Sequence, residues 1–485
     1  MRLLSNTILF YIGTIVAKAS TSLLFIFVGR LLGPEDAGTF NLGITFYTII
    51  FTISAFGLSD ILIRDVASRR EESGRFLTNF ILIRISLAFL AYFFLFLFLQ
   101  LFSPYSKQTE TVILIIALVI FPEAIFSICQ ALFVAHEQAP VPVTASFINS
   151  IVKLLVGFFL LYYTKNIVPV AWILPISSTI SLFVFIPAVI HLLKNTVQEY
   201  PNRFDFSFSF QQLRYTKGFI LIGLFSTLDF QTDSFLISIL LDETRLGWYG
   251  AAQTIMLGFW MMPVAIRTAI YPIMSRYHHQ DVNKLASFYD KINRYLVIFA
   301  FPIAIFVSIM AKPIILLVFT ESFAPSAPAL SIMIWSVVFA FLDAPNARLM
   351  LINNKQQQIG WITGISMLTS LLINIWLIPI WGILGASLAR VLSSFVFFLL
   401  IFVYVHNNFI NSTLPKLLIR PVLAGLLMAL IVWLVRAEHL VIGLFLGMTT
   451  YGITILLLKG IPDTDREIVT IGIYRFYKSL ATKLR

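Results

Sequence analysis

Fourteen apolar segments, each about long enough to cross a bilayer, occupy nearly the whole of this 485-residue chain. A helix rising ~1.5 Å per residue needs roughly 20 apolar residues to cross about 30 Å of hydrocarbon. Spans fall near 7–30, 38–63, 76–100, 110–134, 141–164, 168–193, 217–240, 247–274, 292–318, 326–351, 357–379, 382–405, 416–435 and 439–458. Helices are the class this pattern specifies: backbone groups in lipid must be satisfied within the segment, and the runs are too long and unbroken for barrel strands. Composition agrees, with 59% hydrophobic and 12% charged residues against ~25% charge in an ordinary soluble domain. The first span reads as retained rather than as a signal peptide, because it is longer than a signal's apolar core, contains Lys18 and precedes no small-residue cleavage site. The expected fold is therefore an all-α integral membrane protein of about 14 transmembrane helices.

Lysine and arginine set the orientation. With the N-terminus in the cytoplasm, only Arg30, Lys107, Lys165, Arg245, Lys312 and Arg436 fall in outer connections. Lys18, Arg84, Lys153, Arg267 and Arg390 lie within spans, and the rest of the 34 basic residues are on the inner side. That bias places both termini inside a cytoplasmic membrane. The net charge of +11 then reads as an anchor to anionic inner-leaflet lipid, with no need for nucleic acid. The sequon Asn411-Ser412-Thr413 would face the cytoplasm and stay unglycosylated. Cys129 is the sole cysteine, so no intramolecular disulfide is possible, and the six histidines show no metal-ligand spacing.

The chain repeats itself. The stretch from Leu31 to Phe40, joining spans one and two, is echoed from Leu240 to Tyr249, joining spans seven and eight; Gly38 and Gly247 stand 209 residues apart. Six spans separate the copies, an even number, so the repeat is parallel and its axis lies along the membrane normal. This pattern divides the chain into a first lobe at 1–194, an interfacial linker at 195–216, a second lobe at 217–406, two further spans at 407–460 and a basic amphipathic C-terminal helix at 461–485. Thr464 and Glu467 fit a capping box for that last helix. Two six-helix lobes around a central cavity are the arrangement in which one lobe rocks against the other.

These residues resemble the polysaccharide-repeat (O-antigen type) lipid-linked oligosaccharide flippases of the multidrug/oligosaccharidyl-lipid/polysaccharide exporter superfamily. The resemblance is carried by the run from Gly29 to Gly38, by Phe56-Gly57-Leu58-Ser59 running to Arg64-Asp65, and by Asp233 followed by Gly247-Trp248-Tyr249. Ala311-Lys312-Pro313, the stretch from Asn374 to Pro379, Gly382 to Ala386, and Pro462 to Glu467 extend it. It implies alternating-access movement of a polyprenyl-diphosphate-linked oligosaccharide from the inner to the outer leaflet, for surface polysaccharide or glycan assembly. It also implies a glycan polymerase or transferase as partner machinery, besides the lipid-linked cargo and membrane lipids.

Polar stripes at helical spacing mark faces unsuited to lipid. Span one carries Tyr11, Thr14, Lys18 and Ser22; span two Asn41, Thr45, Thr48 and Thr52; span five Ser146, Asn149 and Lys153; span seven Ser226, Asp229 and Asp233; span eleven Thr363, Ser366, Ser370 and Asn374. Helix packing by small and hydroxylated residues is the alternative for the uncharged stripes. Lys18, Glu123, Lys153 and Asp229 fall near the midplane, where a charge costs ~3 kcal/mol unless met by a partner or water. Arg84, Arg267 and Arg390 lie nearer span ends, within snorkelling reach. Glu123 and Lys153 are candidates for a purely structural pair.

The functional reading gives the cations to an anionic cargo. A wet cavity bearing Lys18, Lys153, Arg84 and Arg267, with Thr14 and Asn149 beside them, would replace the hydration of a diphosphate with charge-assisted hydrogen bonds. Lys18 leads this set, standing where the resemblance implies a functionally important arginine in related peptidoglycan-precursor flippases. Arg30 and Arg64 match family positions near the outer and inner mouths, with headgroup anchoring as the alternative role. Asp229 and Asp233, one turn apart, face the same side and suit a coupling proton or Na⁺, with Glu123 and Asp343 as further coupling candidates. No other cofactor is expected.

Two other readings compete. A cation-coupled drug or metabolite antiporter of the same superfamily would need a cavity dominated by acids. A membrane glycosyltransferase or polymerase would need a sizeable aqueous loop with paired acids or bases, whereas the longest connections are only about twenty residues. No Gly-rich loop ending in Lys-Ser or Lys-Thr is present to cradle ATP. The side assignment has a direct check. A cysteine placed at Lys165 should react with an impermeant thiol reagent in intact cells while one at Lys284 should not, and the reverse pattern would invert the topology.

Overall fold

The computed structural model describes residues 2–196, 204–215, 217–436 and 440–462; these are almost entirely helical, with no strand among them. The first lobe contains α1 (Arg2–Leu32), α2 (Pro34–Ala55), α3 (Leu58–Ser68), α4 (Ser73–Phe102), α5 (Lys107–Ala117), α6 (Ile120–Ala135), α7 (Pro140–Thr164), α8 (Ile167–Ala171) and α9 (Ile173–Asn195). After the short α10 (Phe206–Tyr215), the second lobe runs through α11 (Lys217–Leu240), α12 (Glu243–Gln280), α13 (Val282–Ile309), α14 (Ala311–Val318), α15 (Ser326–Met333), α16 (Trp335–Ile352), α17 (Gln356–Trp381) and α18 (Ile383–Asn408). The pair α19 (Leu414–Leu434) and α20 (Leu440–Leu457) packs together and against α13. Among the described residues, thirteen helical stretches are long and apolar enough to cross a membrane. The remaining expected span is α11, 24 residues with Asp229, Gln231 and Asp233 towards its middle. The expected C-terminal amphipathic helix lies outside the described residues, apart from its first two positions.

Several expected spans are divided or shifted, those over 110–134, 168–193 and 326–351 by single-turn breaks, and three others differ for distinct local reasons. The segment expected to run unbroken over 38–63 stops at Phe56 and Gly57, both in the left-handed region at φ 51° and 66°, and restarts as α3. Glycine adopts that conformation freely and most residues do not, so Gly57 makes the break possible. Helix α12 is 38 residues long, a rod of ~57 Å that outruns the hydrocarbon. Asp281 then caps α13, its Oδ1 accepting from the N–H groups of Asn283 at 2.9 Å and Lys284 at 3.3 Å. The segment expected over 292–318 divides at Met310 into α13 and α14.

Helix α10 belongs to the first lobe. Asp205 Oδ1 accepts from the Phe208 N–H at 3.0 Å, its Oδ2 meets Arg75 Nη2 at 2.7 Å, and Asn79 Oδ1 accepts from Asp205 N at 2.7 Å and Ser209 Oγ at 2.9 Å. The Phe208 N–H and the Arg75 guanidinium together hold the Asp205 carboxyl below the usual carboxylate range.

The lobes meet where α2 crosses α12. A Cβ built on Gly38 would lie 1.7 Å from Glu243 O, and one on Gly247 would lie 1.9 Å from Pro34 O. Pro34 and Glu243 carry the same 209-residue offset as the two glycines, so the contact maps onto itself under the internal repeat. Asn41 and Gly250 continue the register, with Asn41 Nδ2 2.7 Å from a Cβ on Gly250. Bare backbones allow the two helices to approach this closely. The seam continues through Phe46 and Phe235, with ring centroids 5.8 Å apart, Tyr105 Oη to Ser238 Oγ at 2.8 Å, and Thr52 Oγ1 to Thr227 Oγ1 at 3.0 Å. Along α12 the burial then becomes intermittent: Met256 is fully buried, a Cβ on Gly258 would touch nothing, and Met262 and Val264 are exposed, while Pro263, Ile270 and Met274 are buried on another face. Beside α12 the space between the lobes therefore opens in places beyond Met256, whereas between α2 and α11 the seam stays closed as far as Thr52 and Thr227.

Gly38→Val should force the crossing apart, since two backbones rather than flexible side-chain ends obstruct the new methyls. Spin labels at the exposed Glu35 and Arg245 should report a longer distance in the variant than in the parent. An unchanged distance would show that the crossing does not set the separation of the lobes.

Candidate functional site

The deepest charge cluster lies inside the second lobe. Asp233, with no exposed surface, takes Arg390 Nε at 2.8 Å and Nη2 at 2.5 Å on its Oδ2. Tyr249 Oη donates to the same oxygen at 2.5 Å, and Asn374 Nδ2 donates to Oδ1 at 2.8 Å. Asp229, one turn earlier, meets Arg390 Nη1 at 3.4 Å and accepts from Ser366 Oγ at 3.3 Å. Arg390 also donates to the Asp229 carbonyl at 2.7 Å and the Phe230 carbonyl at 3.1 Å. One guanidinium fork thus ties α11 to α18, with α12 and α17 bound to the same carboxylate, in the bidentate geometry that favours arginine. Two carboxylates share one cation.

Arg390 is therefore a buried ion partner; its side chain does not reach a membrane surface. A linear depth count could not pair it with residues more than 150 positions earlier. Its helix did carry a signal: Ser387, Arg390 and Ser393 recur at a spacing of three along one face, and all are buried.

The first lobe holds a looser cluster. Glu123 on α6 receives a hydrogen bond from Ser178 Oγ on α9. Arg84 is buried on α4, donates to Ser54 Oγ at 3.2 Å and Phe51 O at 3.4 Å, and lies 4.5 Å over the Phe51 ring, while its Nε has no partner among the described residues. Lys153 on α7 reaches back to α1, with Nζ 3.0 Å from Thr21 Oγ1 and 3.5 Å from Ser20 Oγ. A direct Glu123–Lys153 ion pair, one alternative from the sequence, is not formed. Asn149 is buried near that seam with Oδ1 unpartnered.

Arg267 on α12 pairs with Asp343 on α16, and Arg348 Nε donates to the Arg267 carbonyl at 3.1 Å. Asn346, one turn after Asp343 on α16, accepts instead from Tyr289 Oη on its Oδ1 at 2.6 Å. Arg30 crosses between the lobes to the Val318 carbonyl at 3.4 Å. Arg64 is exposed and meets Asp65 at 2.6 Å. Thr14 is exposed on α1, and the side chain of Tyr11 lies outside the described residues.

Lys18 differs from the other candidate cations. It is exposed and makes no hydrogen bond or ion pair among the described residues, yet it lies in the middle of α1, ~24 Å from Arg2 and ~21 Å from Leu32 along the axis. Phe25 and Gly29, seven and eleven residues later, share its helical face. Phe25 stacks edge-on to Phe319 at 6.0 Å, and a Cβ on Gly29 would lie 2.9 Å from the Phe323 ring. Both contacts are with the second lobe. The Lys18 face is thus directed towards the second lobe, and Lys18 itself is exposed in the space left beside α12.

The comparisons fit this geometry. A family model described as polysaccharide biosynthesis protein matches residues 27–328. The chain belongs to that family. Among solved structures, the lipid II flippase MurJ in an inward closed conformation superposes with a TM-score of 0.75 at 17% identity, covering 93% of this chain and 98% of that one. An inward-facing multidrug resistance MATE family transporter of the MOP superfamily gives 0.66 at 12% identity, over 82% and 96%. A MOP superfamily transporter from Pyrococcus furiosus, described as having a binding pocket of reverse polarity, gives 0.57 at 14%, over 83% and 95%. These likenesses establish a fold shared with MurJ and the MATE transporters. A curated relative, the uncharacterized membrane protein MJ1068 of Methanocaldococcus jannaschii, is 23% identical over 201 residues, 41% of this chain and 40% of its own length.

Breaking the Arg390 fork leaves buried carboxylates unmatched. Arg390→Gln should cost ~3–5 kcal/mol of stability, seen as a lowered midpoint of thermal unfolding in detergent, and Asp233→Asn in the same chain should recover part of it. A parental midpoint in Arg390→Gln would show that the fork does not hold these helices together.

Proposed function

We propose that this protein is a flippase that carries a polyprenyl-diphosphate-linked oligosaccharide from the inner to the outer leaflet by alternating access. The observation that carries this reading is the state of the charges. In the second lobe Asp229, Asp233 and Asp343 are already met by Arg390 and Arg267. The cation left facing the gap at mid-depth is Lys18, and an anion that enters the gap gives it a counter-charge. Lys153 and Arg84 form a second layer behind α1 and α2, supplying positive potential without direct contact in this conformation, with the neutral amide of Asn149 one turn from Lys153. The MOP-superfamily fold and the polysaccharide biosynthesis family support the same choice of cargo.

The antiporter reading is less well supported, because a cavity for cationic drugs needs free carboxylates and those of the second lobe are occupied. Coupling, if the cycle uses it, falls to a group able to change charge within a lobe. Arg390 already supplies the counter-charge that a proton or Na⁺ would bring to Asp229 and Asp233. Glu123 has a serine hydroxyl as its hydrogen-bond partner, so protonation there costs the least rearrangement.

Transport of a fluorescent lipid-linked sugar should be followed in proteoliposomes with leaflet-specific quenching. Lys18→Ala should lower the rate ~10-fold or more, as expected when one charge-assisted hydrogen bond is removed, and Lys18→Arg should keep most of it. Under imposed proton or Na⁺ gradients, Glu123→Gln should abolish any gradient effect while Asp233→Asn should chiefly lower stability. A Lys18→Ala protein transporting at the parental rate would overturn the cargo assignment.

A further inference from the structure

A second cationic site lies away from the interlobe gap, at the face of the membrane where α1 begins. Helix α13 contributes Arg294 and, one turn deeper, Ile298; the first turns of α19 contribute Lys416, Ile419 and Arg420; the turn after α20 contributes Gly460. Together they line a half-open cavity of about 340 Å³. Arg420 Nη1 donates to the Lys459 carbonyl, which fixes the end of α20 beside α19. The side chains of Arg294 and Lys416 make no hydrogen bond or ion pair with any described residue. The nearby carboxylate of Asp290 accepts from the Thr413 N–H at 3.4 Å.

We propose that this cavity binds the phosphate-bearing headgroup of an anionic phospholipid in the inner leaflet. Scattered surface lysines and arginines do no more than favour an anionic membrane. Here three cations from two helices converge on one half-open cavity, so a phosphate placed there would gain charge-assisted hydrogen bonds from arginine and lysine together. Part of its wall is apolar: Ile298 lies one turn deeper than Arg294, and Ile419, 60% exposed, lies with Leu417 and Pro421 along α19, where Arg420 stands at the same depth. Such a wall takes the start of an acyl chain and offers nothing to a free ion, so the ligand is an amphiphile. The site occupies a mechanical seam, because the α19–α20 pair is joined to the second lobe through α13. A lipid seated there clips that pair to the lobe. This assignment does not rest on the cargo proposed above.

The test uses the full-length protein in delipidated micelles, titrated with phosphatidylglycerol or phosphatidylcholine and followed by native mass spectrometry and thermal unfolding. Phosphatidylglycerol should bind saturably and raise the unfolding midpoint, with phosphatidylcholine doing neither. Arg294→Gln with Lys416→Gln should weaken that binding ~100-fold, about tenfold for each cation removed. Ile419→Trp, which fills the cavity and leaves every charge in place, should also abolish saturable binding and keeps the test decisive if the double variant does not fold. Equal phosphatidylglycerol affinity in parent and variants would overturn the site, as would its absence in the parent. Inorganic phosphate competing as well as the lipid would overturn the assignment to a lipid headgroup.

Discussion

A charge held at membrane depth needs an opposite charge, a polar shell or water, and the architecture of both lobes follows from how that need is met. In the second lobe Arg390 meets it with one planar fork: Asp233 takes two of its nitrogens, Asp229 a third, and Tyr249 and Asn374 complete the shell around Asp233. Four helices are thereby fixed to one another through a carboxylate without exposed surface. The first lobe meets the same need with hydroxyls, through Ser178 for Glu123, Ser54 for Arg84, and Thr21 with Ser20 for Lys153. One lobe is thus locked by a matched ion cluster and the other is held by weaker, more easily exchanged contacts.

That difference bears on how a rocking cycle would run. A rigid lobe and a more compliant one, joined backbone to backbone at the α2–α12 crossing and by exchangeable side-chain contacts such as Thr52–Thr227 further along, move most readily by pivoting about the crossing. Lys18 stands on the helix of the first lobe that faces the gap, and Lys153 grips that same helix from behind through Thr21. Anion binding at Lys18 would therefore act on α1 and, through it, on α7 and the Glu123 neighbourhood. The lobe whose contacts exchange most easily is the one the cargo touches first.

Much of this could be read from the sequence, and the remainder has identifiable physical causes. Apolar length gave the spans, and the offset repeat from Leu31 and Leu240 gave two lobes in one orientation. The one-turn spacing of Asp229 and Asp233 put both carboxylates on one face, where the structure has them. Arg390 was not legible as their partner, because depth along a helix says nothing about which neighbour lies across it. The same gap hid the turning of Lys153 to Thr21 rather than to Glu123, and of Asp343 to Arg267. The break at Phe56 and Gly57 escaped the hydropathy pattern, since a left-handed pair interrupts the backbone without interrupting the apolar run. The overhang of α12 escaped it too, being set by capping at Asp281 and not by lipid.

The glycine crossing also constrains how the two halves of the chain can change over time. Each glycine faces the carbonyl of the other half's helix start, so a side chain gained at Gly38 cannot be accommodated by a smaller residue at Gly247, which is already the smallest. Compensation would have to come from moving a whole helix. The two halves, free to diverge nearly everywhere else, are therefore bound at this one position to a shared history: neither copy can lose its glycine while the contact survives.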